Sequence, residues 1–264
     1  MKKYLIVNAD DLGLNAEINA GIIDSFKNGC VTSASLITTE ESFNDAVEKT
    51  RENPSLDIGI HLNIVRGQAK HNLPLLFLKR VMREKVTREK IYQEFERQIK
   101  LALDKGLEIS HLDTEKHLHI FPFILKIVIE LAKKYHIRSI RFPFERIIAK
   151  RRASPRQLLK IFFSYIFYRK CSKLFKNSGI KHPDFFYGIS LSNKFRVDNL
   201  KEFMDNMSPG ISELSCHPAF KIRQISSFMD YSRNEERETL TNQTLIDHIK
   251  ERGITLTNFK IFNG

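Results

Sequence analysis

Short apolar runs recur along the chain, and most are followed by a stretch with apolar residues at helical spacing. Lys3–Ala9 (KYLIVNA) ends at the pair Asp10-Asp11 and predicts a buried strand. Asn15–Lys27 places Ile18, Ile22, Ile23 and Phe26 on one helical face, and Gly29 stops it. Further strands are predicted at Cys30–Ile37, Leu56–Ile64, Ile109–Thr114, Ser139–Pro143, Phe185–Ile189, Ile211–His217 and Thr255–Phe259. Helices are predicted between them at Glu41–Arg51, Thr87–Lys105, Pro122–Tyr135, Pro155–Lys176, Val197–Met207 and Arg233–Arg252. Strands alternating with helices imply a parallel sheet covered by helices. About seven such units in 264 residues suit an α/β chain folded as a distorted β/α (TIM-like) barrel, one domain over residues 1–264.

Composition changes this picture little. A hydrophobic share of 42% supplies a full core and excludes a disordered chain. No apolar run approaches the roughly 18–20 residues of a membrane span. The apolar start is too short for a signal peptide. Three widely spaced cysteines, Cys30, Cys171 and Cys216, make no disulfide framework and suit a reducing cytoplasm. Glycine-rich phosphate loops are absent from the sequence.

Charge matters more. The net charge is +12, and residues 146–183 hold eleven Lys/Arg and no Asp or Glu. Phe162, Phe163, Tyr165, Phe167, Tyr168 and Phe175 lie among them, which marks a basic, aromatic-rich helical insertion. It reads as a solvated helix packed on the main domain, as a peripheral contact with an anionic membrane face or lipid-linked substrate, or as a homodimer interface. No nucleic-acid motif accompanies the charge, so nucleic acid is not an expected partner.

The candidate chemistry lies at strand ends, where β/α barrels build their active sites. One strand ends in Asp10-Asp11, another in His61. A third runs into Asp113-Thr114-Glu115-Lys116-His117-Leu118-His119, and a fourth into Ser215-Cys216-His217-Pro218. A lone strand-end histidine is usually structural, but four polar ends on one rim argue for a site. Two ionised aspartates in one dry pocket repel unless a cation sits nearby. One carboxylate on a metal with its neighbour as base uses the pair well; capping the following helix is the plainer alternative. Aspartate and histidine donors with open positions suit Zn²⁺ or Mg²⁺, and hence hydrolysis at a carbonyl.

The runs Ile6-Val7-Asn8-Ala9-Asp10-Asp11-Leu12-Gly13, Thr32-Ser33, Gly59-Ile60-His61-Leu62-Asn63 and residues 111–119 ending in Pro122 resemble the YdjC-type carbohydrate deacetylases. So do Arg141-Phe142-Pro143-Phe144-Glu145, Glu213-Leu214-Ser215-Cys216-His217-Pro218 and the Arg233, Glu236, Leu240 spacing after Tyr231. These motifs keep the family's order over nearly the whole chain. The resemblance, shared with NodB-type polysaccharide deacetylases, implies a distorted barrel and metal-dependent removal of an N-acetyl group from an amino sugar. It implies Asp10 as base, His217 as general acid, and Asp11 and His61 as metal ligands. His117, His119, Asp113, Arg141 and Glu213 are further pocket candidates.

One position departs from the family pattern Asp-Ser-His-x-His-x-His: Glu115 stands where the third ligand histidine is expected. Three readings stay open. Glu115 ligates the ion, giving a harder set that favours Mg²⁺ or Mn²⁺ over Zn²⁺. His117 or His119 takes the role. Or Glu115 pairs with Lys116 or an arginine, and the metal is weakened or lost. The corresponding alternatives to a cytoplasmic N-deacetylase are a sugar-binding barrel with an eroded site and a hydrolase of another sugar bond, which needs two carboxylates and no metal.

Overall fold

The computed structural model describes residues 2–64, 87–145, 154–191, 194–221 and 232–263. The strands are β1 (Lys3–Leu12), β2 (Ser33–Leu36), β3 (Asp57–Leu62), β4 (His111–Thr114), β5 (Ser139–Ile140), β6 (Phe185–Tyr187), β7 (Gly210–Cys216) and β8 (Ile254–Thr257). They form one sheet in the order β5-β4-β3-β2-β1-β7-β6, every pairing parallel. The strand β8 pairs with Lys3–Ile6 of β1, below the point where β2 joins it at Asn8. Isolated parallel bridges, Ser139 to Lys181 and Glu145 to Phe186, tie the two ends of that order together. The result is the distorted β/α barrel expected from the sequence.

The helices are α1 (Ala16–Lys27), α2 (Phe43–Arg51), α3 (Arg88–Leu103), α4 (Pro122–Lys134), α5 (Pro155–Ser178), α6 (Val197–Asp205), α7 (Ser232–Leu240) and α8 (Gln243–Glu251). Their ends follow local chemistry. Asn15 and Thr87 cap α1 and α3 through side-chain oxygens, and Pro122 opens α4 where a missing N–H costs nothing. A Ser154/Gln157 capping box starts α5, and Gly179, at φ 77°, ends it. The single helix expected over Arg233–Arg252 is two, because Asn242 turns its side chain onto the Thr244 N–H and caps α8 afresh. Residues 146–153, the start of the basic insertion, and Tyr231 lie outside the described residues.

The strands sort their side chains by alternation. Leu5, Val7, Ala9, Ala34, Leu36, Ile58, Ile60, Leu62, Leu112, Ile140, Leu214 and Cys216 belong to the apolar layer with the helices. The alternate positions are buried polar groups: Asn8, Asp10, Ser33, Ser35, Asp57, His61, His111, Asp113, Arg141, Glu213 and Ser215. The barrel is therefore lined with hydrogen-bonding groups. Near the start of β3 and β4, Phe259 closes it by stacking on His111 at 3.7 Å and donating its N–H to Asp57 at 3.0 Å.

Candidate active site

Near its end β1 breaks register with β2. Ala9 pairs with Ala34 and Leu12 with Leu36, so three steps on one strand face two on the other. This bulge holds Asp10 and Asp11, and Asp11 takes φ 72°. A side chain there is strained, a condition retained where function uses it. The geometric consequence is plain: successive strand residues face opposite ways, yet the carboxylates of Asp10 and Asp11 both reach His61's surroundings.

Asp10 accepts four hydrogen bonds from three residues. Arg141 grips it with two parallel hydrogen bonds, Nη1 to Oδ2 at 2.8 Å and Nη2 to Oδ1 at 2.7 Å. Asn8 Nδ2 donates to Oδ1 at 2.7 Å, and Ser215 Oγ to Oδ2 at 2.9 Å. Burial raises the carboxyl's pKa, but Arg141, His61 and His217 overcome it and hold Asp10 well below the usual carboxylate range. Asp10 is thus an ionised carboxylate in a closed pocket.

Arg141 also reaches Asp113 Oδ2 at 2.5 Å and Glu213 Oε1 at 2.6 Å. Three acids share one buried guanidinium. Glu213 is the one that burial pushes up, to about 7, and its second oxygen has no hydrogen-bond partner. Asp113 stays low because Arg141 and His61 outweigh burial. Its Oδ1 lies 2.8 Å from His61 Nδ1, and its Oδ2 accepts from Ser35 at 3.1 Å. Burial lowers the His61 pKa, but Asp113, with Asp10 and Asp11, carries it to about 9. An imidazole fixed this way through Nδ1 presents Nε2 to the pocket, the arrangement of a supported metal-binding histidine. Nε2 stands 3.8 Å from Asp11 Oδ1. The other oxygen of Asp11 accepts from Arg233 at 2.6 Å.

Asp10, His61 and Asp113 offer one ligand atom each within 4.8 Å of one another, so this trio could hold a metal ion. Asp10 and Asp113 are bonded through both oxygens, and Asp11, which Arg233 also holds, brings Oδ1 to 3.8 Å from His61 Nε2. The donor set of carboxylate oxygen and imidazole nitrogen fits a small divalent ion.

The rest of the histidine run divides. Glu115 is buried and follows β4 directly, but it does not join the cluster of Asp10, His61 and Asp113. Lys116 and His117 follow in left-handed backbone, each at φ 55°. His117 packs edge-on against Phe186 and leaves its buried Nδ1 without a hydrogen bond. His119 has both ring nitrogens engaged, by Thr114 Oγ1 at 2.7 Å and the Arg141 carbonyl at 3.0 Å. Across the mouth, His217 is a third exposed, with Nε2 3.9 Å from Asp10 Oδ2. Its backbone N–H donates to Glu236 Oε2 at 2.6 Å, and Nδ1 stands 3.9 Å from the same oxygen. Burial raises the Glu236 carboxyl against the pull of His217.

Sequence reasoning assigned no role to Asn8, Ser35, Arg233 or Glu236, although Asn8, Arg233 and Glu236 stand within the motifs of the resemblance. For Asn8 a signal existed in the alternation, two residues before Asp10 on the same strand face; Ser35 stands two residues after Ser33 of the Thr32-Ser33 motif. Arg233 and Glu236 sit one turn apart on α7, and nothing local shows that this turn meets β1 and β7.

Comparison with known proteins follows the same lines. A family model described as YdjC-like protein matches residues 4–251. The chain is 35% identical to a carbohydrate deacetylase of Clostridium beijerinckii over 267 residues, 97% of this chain and 98% of that protein. A crystal structure from Enterococcus faecalis V583 superposes with a TM-score of 0.75 at 27% identity, covering 99% of both chains. The Bc1960 peptidoglycan N-acetylglucosamine deacetylase shares the fold at a TM-score of 0.50 and 12% identity, over 99% of this chain and 88% of that one.

Proposed function

The chain belongs to the YdjC-like protein family and is a carbohydrate deacetylase, and from that premise we propose that it hydrolyses the N-acetyl group of an amino sugar with a divalent ion bound at Asp11 and His61. One observation carries the reading. Two adjacent aspartates enter one buried pocket in different settings: Asp10 is oriented by Arg141, Asn8 and Ser215, while Asp11 stands between Arg233 at 2.6 Å and His61 Nε2 at 3.8 Å.

Asp11 and His61 would hold the ion, with Glu115 as third ligand and Asp113 orienting His61. When bound, such an ion supplies Lewis acidity toward the amide carbonyl and toward water. The side chains do the remaining work. Asp10, kept ionised by Arg141, takes the proton of the attacking water at a carboxylate oxygen. Ser215 and Asn8 keep that carboxylate from rotating. His217, at the open mouth, hands a proton to the departing sugar amine, and Glu236 holds its backbone in place. The barrel wall excludes bulk water from Asp10 and Asp113, so these charges act at short range in a low dielectric.

An anionic, oxygen-rich set favours Mg²⁺ or Mn²⁺, and His61 keeps Zn²⁺ within reach. The substrate is an N-acetylated saccharide, soluble or carried on a lipid, and the basic insertion supports the second form. Three free, buried cysteines fit the cytoplasmic setting expected from the sequence.

The test uses purified protein stripped with a chelator and dialysed. Acetate release from N-acetylated chitooligosaccharides should vanish and return on adding Mg²⁺, Mn²⁺ or Zn²⁺. Undiminished acetate release after chelation would remove the metal reading, whereas no acetate release with any of the three ions, together with chelator-resistant cleavage of the glycosidic bond, would favour a two-carboxylate hydrolase.

A further inference from the structure

The helix α5 carries an exposed face that the site does not use. Leu159, Phe162 and Ile166 are 63%, 72% and 60% exposed, and Tyr165 joins them at 40%. Their spacing puts them on one side of the helix. The same side continues, by the same spacing, into Arg169, Lys170, Lys173 and Lys176, all exposed. The opposite side is anchored: Ile161, Ser164, Cys171 and Phe175 are buried, and Cys171 Sγ donates to the Ile120 carbonyl. So α5 is fixed on the barrel with a half-apolar, half-cationic face turned outward. Large apolar side chains grouped this way on a surface mark an interaction site.

The apolar half lies beside the mouth of the barrel. Helices of a β/α barrel run back from the strand C-termini, so the first turns of α5 are level with the site. Side-chain contacts agree. Tyr165 Oη donates to the Glu145 carbonyl at 3.2 Å, and Tyr165 and Tyr168 pack on Phe144, three residues from Arg141.

We propose that this face docks the enzyme on an anionic phospholipid surface, with Leu159, Phe162 and Ile166 entering the headgroup layer. Charge complementarity selects the occupant. Residues 146–183 hold eleven Lys/Arg and no acid, so a second copy would bring the same cations and no counter-charge from this segment. A lipid headgroup layer supplies both apolar depth and negative charge, which is what an amphipathic basic helix binds. Among the described residues no helix is long and apolar enough to cross a membrane. The contact is therefore peripheral. It rests on the deacetylase reading only for its use, which is to bring the mouth to sugars carried on lipid.

The experiment is co-sedimentation of the full chain with phosphatidylcholine vesicles, with and without about a third phosphatidylglycerol. Binding should require the anionic lipid and weaken as salt rises from about 0.1 M to about 1 M, where the screening length falls from ~10 Å to ~3 Å. Phe162→Ser with Ile166→Ser, and separately Lys170→Glu with Lys173→Glu, should each weaken binding about tenfold or more. Circular dichroism should be unchanged, and acetate release from a soluble chitooligosaccharide should be kept. No binding to anionic vesicles, or binding that both double variants retain, overturns the proposal. So does a dimer in sedimentation equilibrium that Phe162→Ser with Ile166→Ser dissolves, which would give the face to a second copy. Loss of acetate release in the unaltered chain would sink the deacetylase reading while leaving the vesicle result to be read by itself.

Discussion

Asp10 and Arg141 lie side by side, joined by two parallel hydrogen bonds across 131 residues of sequence. The pairing keeps a buried base ionised, and it gives the arginine the first of three acids. The two residues therefore fail differently. Asp10→Asn should cut acetate release by about 10²–10⁴-fold, the usual worth of general acid–base assistance. Its fold should survive, because Asp113 and Glu213 still balance Arg141. Arg141→Met strands Asp10 and Asp113 in the barrel and should cost about 3–5 kcal/mol of stability. Denaturant melts and acetate assays on both variants check this; equal stability loss in the two would contradict it.

Metal content should follow Asp11 and Glu115. In chelator-stripped protein reloaded with one ion, Asp11→Asn should lower bound metal by at least about tenfold, the scale of losing a supporting contact or more. Glu115→His should keep or raise affinity and shift preference toward Zn²⁺, since imidazole is the softer donor. Elemental analysis and competition titration report both. Metal binding indifferent to any change at Glu115 would take the ligand role from it.

Glu236 is expected to act through His217. It accepts the His217 N–H and stands 3.9 Å from Nδ1. Glu236→Ala should lower kcat by about tenfold with KM little changed, a fraction of the about 10²–10⁴-fold worth of the acid it positions. Glu236→Gln, which keeps an oxygen to accept the His217 N–H, should restore most of the lost kcat. Equal kcat in the Gln and Ala variants would leave Glu236 a purely structural role.

Stability should fall with rising pH through Glu145. Burial lifts its carboxyl to about 7, even though Ser190 and the Ile189 N–H donate to it. The unfolded chain titrates this group near ~4.3. The folded state thus holds a proton that the unfolded state has released, so this contribution is full below the unfolded value and is lost as pH climbs through about 7. Glu145→Gln removes that titration. Its Tm should gain on the wild type as pH rises from about 5 to about 8. Parallel Tm curves over that range would refute the account.

Gly59 is required by His111. A Cβ at Gly59 would lie 2.3 Å from the imidazole ring, which is pinned by the Phe259 stack and by Ser110 at 2.9 Å. Gly59→Ala should destabilise by about 1–3 kcal/mol, the cost of overpacking a filled interior. Thermal denaturation measures it, and a neutral outcome would mean that the ring moves freely.

Much of this molecule was written locally. The strand and helix order from Lys3 to Thr257 follows from period-two and helical spacing, and the caps at Asn15, Thr87 and Ser154 mark helix starts by their own hydrogen bonds. The strand-end residues Asp10, His61, Asp113 and His217 could be named because a parallel β/α order sends all strand C-termini to one rim. The split between α7 and α8 was harder, since an asparagine within an amphipathic pattern signals a cap only when its side chain turns back.

By itself the sequence determined which side chains each strand presents to which face, because alternation is a property of the single strand. It also determined the order of elements and the charge carried by α5. Only the tertiary structure decided who meets whom. The bulge at Asp11 depends on the register of β1 against β2, and the three-acid grip of Arg141 on the curl that brings β5 to β1, β4 and β7. Asp113 as the support of His61 follows from the pairing of β3 with β4. Neither register nor curl is local: each is set by sheet twist and by helices packing outside, summed over contacts distant in the chain.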